Sequence, residues 1–343
     1  MRTYFLKEHT IAGKRNITKG MQNQDNITVY EDNNIIMACV SDGCTDSKFP
    51  VEAGRMNGQT AVKASKVIWS MPEKKVKQYL NDSYNEIFSN SDFPYKQLCA
   101  TTAFVMINKS TGAYIAFSVG DTAILSYNAN GQFKMFLEPV NAFRKSATYF
   151  TNDSLSVRKF SQFKQGTLDD IAGFVIYSDG AENISQPPYT DIKRFVSSAY
   201  VSDESFNEEK ENLFIKLKEL DNDDISIALV AVSDDVISKN MTEYYNGFYT
   251  SSAEIPVSEQ QPEQNADIPE KENEMPATSL AEITGDRKMT DFLAFLNIPR
   301  SPDEIYRSDI IARDDIVLTL TDLVRKHIVL CTADGRFIAD RTF

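Results

Sequence analysis

The residues best equipped for chemistry are aspartates, and they stand where apolar runs stop. In the segment 35–43, IIMACVSDG, the apolar residues Ile35, Ile36, Met37, Ala38 and Val40 lead into Asp42-Gly43. In the segment 174–180, FVIYSDG, a second apolar run ends in the same Ser-Asp-Gly triplet, at Asp179. A run without polar alternation is the pattern of a strand buried on both faces, so a carboxylate at its end lies at the rim of a core. The glycine lets the chain turn sharply, and the Asp42 carboxylate and the Gly43 carbonyl can then face one hard cation. Asp-Gly is first of all a turn signal. It is the repetition that points further, because packing alone rarely ends two core strands with one polar triplet. Asp25 in NQDN, Asp121 in VGDT and Asp223 in DNDDIS stand at further element ends. The chain has two histidines, His9 and His327, and four cysteines (Cys39, Cys44, Cys99, Cys331) without a C-x-x-C pair. An ion site built from this inventory is oxygen-rich, which selects magnesium or manganese over zinc or copper.

The elements that must position these groups follow from periodicity. Asp32-Asn33-Asn34 is a turn between ITVY and the central strand, so 27–41 reads as a hairpin that brings Asp25 near Asp42. Ala53, Asn57, Ala61, Ala64 and Ile68 follow helical spacing and predict a helix over 51–70. Pro72 opens a second helix with Val76, Leu80, Ile87 and Phe88 as its buried stripe. From Ala100 the runs TTAFVMIN, AYIAFSVGDT, AILSY and QFKMF, punctuated by Ser110-Thr111-Gly112 and Asn130-Gly131, read as an antiparallel meander. The tract 137–170 is irregular, with short strands expected near 157–160. Helical patterns at 191–201 and 206–220 precede a last strand, ISIALVAVS, and residues 1–22 read as a strand followed by a loop. This order predicts an α+β layered sandwich of antiparallel sheets with helices outside.

With 343 residues and 42% hydrophobic content the chain supports a real core. Its 36 basic and 49 acidic residues give a net charge of -13, which argues against nucleic acid as a partner. No apolar run approaches the roughly 18 residues of a membrane span, and residues 1–20 lack the apolar core of a signal peptide. A cytoplasmic location without membrane attachment is therefore expected. Residues 234–285 carry prolines at 256, 262, 269 and 276 among Glu, Gln, Asn and Ser, and read as a disordered acidic linker. A small C-terminal segment, 286–343, contains DFLAFLNI, IVLTLTDLV and a hairpin signal at Asp334-Gly335. The expected division is a domain over 1–233, the linker, and this accessory module.

Taken in order, Asp25, Asp42, Asp121, Asp179 and Asp223 make residues 1–233 resemble the metal-dependent (PPM, type 2C) serine/threonine protein phosphatases, in particular their bacterial branch. The resemblance implies a four-layer αββα sandwich of two antiparallel sheets flanked by helix pairs, holding two Mn²⁺ or Mg²⁺ ions. It implies that Asp42 bridges both ions, that the Gly43 carbonyl binds one of them, and that Asp179 and Asp223 complete the other's shell. Asp25 would act mainly through water, and Asp121 matches a position associated with a third, weaker ion. Thr101-Thr102 matches a structural pair outside the site. Asp42, Asp179 and Asp223 would carry catalysis, on a phosphorylated protein made by a cognate serine/threonine kinase. The rivals are a phosphatase-like fold that binds metal or partners without turnover, and a hydrolase of small phosphate esters. The chain also departs from the family pattern. Cys44-Thr45-Asp46 replaces a glycine pair and a histidine, residue 183 is Asn, and Asp224 stands where Asn is frequent. The arginine common before the first acidic motif is absent, with Lys19 and Gly20 in that region and Arg15 further back. A phosphoryl group among carboxylates needs positive charge. Lys48 and Arg55, which follow Asp42 in the loop and the first helical turns, are the first candidates, Lys48 needing the shorter reach, with Lys19 or Arg15 next in line.

Overall fold

Strand β3 (Ile35–Ser41) is buried at every position. The two faces of its pleat belong to different cores. Ile36, Ala38 and Val40 join the cluster between two sheets, whereas Ile35, Met37 and Cys39 join a cluster beneath helices. A strand with apolar matter on both sides has no face on which to place polar residues, hence its unbroken apolar sequence.

The computed structural model describes residues 2–141, 148–185, 189–251, 329–331 and 337–339. With strands numbered in chain order, one antiparallel sheet runs β2 (Asn26–Glu31), β3, β4 (Thr102–Asn108), β5 (Ala113–Val119), β8 (Gln162–Thr167). The other runs β1 (Thr3–Ile11), β10 (Ile225–Ser233), β9 (Gly173–Tyr177), β6 (Ala123–Tyr127), β7 (Phe133–Leu137). Helices α2 (Pro50–Ser65) and α3 (Glu73–Ser89) cover the first sheet, with Val76, Leu80, Tyr84 and Phe88 of α3 buried at a spacing of four. Ile87 is only half-buried and Pro72 occupies the N-cap. Helices α4 (Thr190–Ser198) and α5 (Asp203–Leu220) pack their apolar stripes into the core of the second sheet. The αββα layering expected from the sequence is observed.

Several expectations are corrected. Residues 100–137 are two hairpins in different sheets, not one meander: β4 pairs with β5 in the first sheet and β6 with β7 in the second. The chain crosses between sheets at Gly120-Asp121-Thr122. Gly120 has φ +87, and a Cβ there would lie 2.6 Å from Thr101 Cγ2, so only glycine makes this corner without strain. Periodicity reports which faces are buried and is silent about which sheet buries them. The strand expected near 157–160 is a single wide helical turn, Ser156–Phe160, with β8 just after it. The loop expected after β1 contains a short helix, α1 (Lys14–Thr18).

The domain boundary expected at 233 precedes one more helix, α6 (Asp235–Ser251). Ile237, Met241 and Tyr245 bury its inner face, and Asp234 Oδ1 accepts the amides of Val236 and Ile237 at 3.0 and 2.9 Å, capping its start. The polar composition hid this single stripe. The chain divides into compact units at 1–256 and 257–343. In the second unit β11 (Val329–Cys331) and β12 (Phe337–Ala339) pair antiparallel, and the expected Asp334-Gly335 turn lies outside the described residues. The rest of the expected linker, 252–285, and the segments DFLAFLNI and IVLTLTDLV lie outside the described residues. No helix among the described residues is long and apolar enough to cross a membrane.

Candidate active site

Two pairs of strand ends deliver the carboxylates. In the first sheet the register Asn26↔Ser41 sets Asp25, just before β2, beside Asp42, just after β3. In the second sheet β9 and β10 end together: the Ser178 amide donates to the Ser226 carbonyl at 3.0 Å and the Ser226 amide to Ser178 Oγ at 3.0 Å. This brings Asp179 alongside Asp223. The crossover at Gly120 delivers Asp121 from between the sheets. Asp42, Asp121, Asp179 and Asp223 thus line one cleft of about 170 Å³, together with Gly43. Asp25 is buried and does not line it.

The backbone around Asp42 is held firmly. Its carbonyl accepts the Thr101 amide at 2.9 Å, Gly43 bridges Ala100, and the Cys44 amide donates to the Cys99 carbonyl at 3.0 Å. Thr101 lines the cleft and its hydroxyl meets that of Thr122 at 2.5 Å, while Thr102 is buried against Ser41 Oγ at 2.9 Å.

The electrostatics are those of crowded anions. Burial first, then the charges of Asp179, Asp25, Asp121 and Asp223, push Asp42 well above the usual carboxylate range. Burial and the neighbouring Asp121, Asp223 and Asp25 raise Asp179 to about 8. Burial raises Asp25 to about 7; the Ser178 and Ser226 hydroxyls draw it part of the way back, although neither of its oxygens closes a hydrogen bond of good geometry. Asp121 rises through burial, with the Glu182 charge adding to it, and its buried Oδ1 has no hydrogen-bond partner. Asp223 rises through burial, opposed by Arg15.

Arg15 stands at the edge of this cleft, bonded to two of its lining residues. Its Nη2 donates to Asp223 Oδ1 at 2.5 Å and to Thr45 Oγ1 at 2.7 Å. Among the described residues no other ion pair reaches the predicted aspartates. Lys48 and Arg55, the cations favoured by sequence, are exposed and do not line the cleft. Helix α1 carries Arg15 to Asp223 across 208 positions of chain, and no local pattern signals that meeting. Of the histidines, His9 lies on β1 against the Phe214 ring at 4.6 Å, away from the cleft, and His327 is outside the described residues.

The donor set suits hard divalent cations: carboxylates converge, buried oxygens of Asp25 and Asp121 lack partners, and repulsion among anions is relieved by cationic charge. Among the described residues no three His, Cys, Asp or Glu side chains have the spacing of a closed ion cage. The fit therefore rests on donor chemistry and on the unpaired oxygens.

A family model described as protein phosphatase 2C matches residues 12–219. Among solved structures the chain is similar to the serine/threonine phosphatase Stp1 from Staphylococcus aureus, at 12% identity over 68% of this chain and 96% of that one, with a TM-score of 0.50. It is also similar to a C. elegans sex determining protein, at 12% identity over 69% and 67% of the two chains, TM-score 0.52. A bacterial serine phosphatase is similar at 14% identity over 68% and 99%, TM-score 0.50. No curated protein matches the sequence. At such identities these structures speak for the fold alone.

Proposed function

The chain belongs to the protein phosphatase 2C family, and from that premise we propose that it is a Mn²⁺- or Mg²⁺-dependent protein serine/threonine phosphatase, releasing phosphate from phosphoserine and phosphothreonine by attack of water. The observation that carries this reading is the convergence of Asp42, Asp121, Asp179 and Asp223 on one cleft with Arg15 at its edge. Asp42, the Gly43 carbonyl, Asp179 and Asp223 would hold two ions, with Asp25 acting through water and Asp121 serving a third, weaker one. Two such ions, when bound, supply activation of the attacking water and charge stabilisation for an in-line displacement at phosphorus. The protein's part is to hold its carboxylates at strand ends, where the sheets limit their movement; crowding raises them above the usual carboxylate range, so the charge of bound ions would keep them ionised. We place the protein in the cytoplasm, acting on products of a serine/threonine kinase; Cys39, Cys44 and Cys99, all free, support a reducing compartment.

Phosphate release from a phosphothreonine peptide, measured with Mn²⁺ and with EDTA, tests the reading. Release that depends on the ion is expected. Release undiminished in EDTA would overturn the metal mechanism, and none with any divalent ion would favour a family member that binds without turnover.

Arg15, not Lys48 or Arg55, is the cation we assign to phosphoryl capture. A half-buried guanidinium presents fixed donors to phosphate oxygens, and its present partners, Asp223 and Thr45, hold it at the cleft. Arg15→Ala is expected to raise KM for the phosphopeptide roughly tenfold or more, as loss of a hydrogen bond to a charged group does. Lys48→Ala and Arg55→Ala should stay within about twofold of wild type. Equal KM values for all three variants would remove Arg15 from this role.

A further inference from the structure

A carboxylate outside the cleft bonds to residues on both sides of Arg15 and to the residue before Asp25. Asp224 is 2% exposed, next to Asp223, and does not line the cleft. Its Oδ1 accepts the Gly13 amide at 2.7 Å, and its Oδ2 accepts Asn16 Nδ2 at 2.7 Å and the Gln24 amide at 2.6 Å. All three donors are neutral, so hydrogen bonds alone satisfy a buried anion. Such bonds are short and about twice as strong as neutral ones, and losing one strands a buried donor.

The donors explain what this arrangement is for. Gly13 and Asn16 flank Arg15 on either side, and Gln24 immediately precedes Asp25. The Arg15 amide adds a bond to the Asn222 carbonyl at 3.0 Å. Gly13 packs so closely on this turn that a Cβ there would lie 2.2 Å from the Asp223 carbonyl, which admits no side chain. One side chain on the β10 approach therefore ties two separate segments, 13–16 and 24–25, to the turn that carries Asp223.

We propose that Asp224 is a positioning residue, an anionic anchor that sets the backbone of Arg15 for phosphoryl capture and that of Asp25 for the ion site. Its charge matters to this role. An asparagine offers one acceptor oxygen to three donors, and its amide N–H would face another N–H. The inference rests on the phosphatase reading only for its kinetic consequence. The anchoring itself is independent of any activity.

The test uses the full chain with Asp224→Asn, Arg15→Ala and the double variant. Amide exchange by NMR on ion-free protein is expected to accelerate at least tenfold at Gly13 and Gln24 in Asp224→Asn, with Leu229 in the middle of β10 unchanged. The Arg15 guanidinium signals, restrained in wild type, are expected to average. With Mn²⁺ and a phosphothreonine peptide, Asp224→Asn is expected to raise KM roughly tenfold with kcat within about threefold, and to add less than about twofold in the Arg15→Ala background. Unchanged exchange at Gly13 and Gln24 would overturn the anchor, whatever the substrate. Equal KM increments in both backgrounds would overturn its coupling to Arg15. If wild type releases no phosphate, the phosphatase reading fails, and the exchange and guanidinium signals still decide the anchor. If Asp224→Asn does not fold, Asn16→Ala, which removes one donor and leaves the carboxylate, takes its place. A smaller KM rise that vanishes in the Arg15→Ala background is then expected, and an additive one overturns the proposal.

Discussion

Asp42→Asn is expected to abolish turnover, lowering kcat by roughly 10³-fold or more, while the protein still folds. After burial, the charges of all four other aspartates raise Asp42, as befits a central position among them. An amide keeps the shape and removes the charge, so under the proposed assignment the ions would lose their shared ligand. Folding should survive, because the contacts that fix this turn are made by the Asp42 carbonyl, the Gly43 bridge and the Cys44 amide rather than by the side chain. Asp121→Asn, at the crossover between the sheets, is expected to weaken the rate or the metal dependence without emptying the main site. Calorimetric titration with Mn²⁺ alongside turnover separates the two. Normal turnover and undiminished ion binding in Asp42→Asn would remove it from the bridging role.

Ion-free protein is expected to lose stability as pH rises from about 4 towards 8, and added Mg²⁺ to stabilise it increasingly over the same window. In the fold Asp25 and Asp179 are raised to about 7 and about 8, and Asp42 is higher than usual as well. In the unfolded chain all three ionise near 4. Between these limits the folded state holds protons that the unfolded state has released, so unfolding becomes easier with rising pH. The stabilisation is complete below the unfolded value and is lost as pH passes through the folded values. Each such carboxyl contributes roughly 1.4 kcal/mol per pH unit, and mutual coupling keeps the three from adding fully. His9 acts oppositely, since burial and the charges of Lys210 and Lys218 lower it, and its contribution is the same with and without the ion. The quantity to measure is therefore the gap in Tm between Mg²⁺ and EDTA samples. It should widen by about 5 °C or more from pH 5.5 to pH 8, given roughly 2–4 °C per kcal/mol for a domain of this size. A gap that stays constant or narrows would show that these carboxylates do not bear the ion's charge.

Everything that burial writes into a short stretch is legible from the residues alone. The continuous apolar run at 35–41 implied a strand covered on both sides, and β3 is divided residue by residue between two cores. Spacing of four in 76–88 implied a helix with one buried face, and α3 packs by that face. Aspartates at the ends of apolar runs implied carboxylates at the edge of a core, and the sheets gather four of them in one cleft. Long-range contacts were needed to show that 100–137 is shared between two sheets, that α1 forms where a loop was expected, and that Arg15 rather than Lys48 or Arg55 stands beside the aspartates. Asp224 belongs with these: its partners Gly13, Asn16 and Gln24 are 200 to 211 positions away. The reason is physical. Periodicity records only which side of an element meets apolar matter, whereas the partner of a buried charge is chosen by geometry that exists once distant strands have come together.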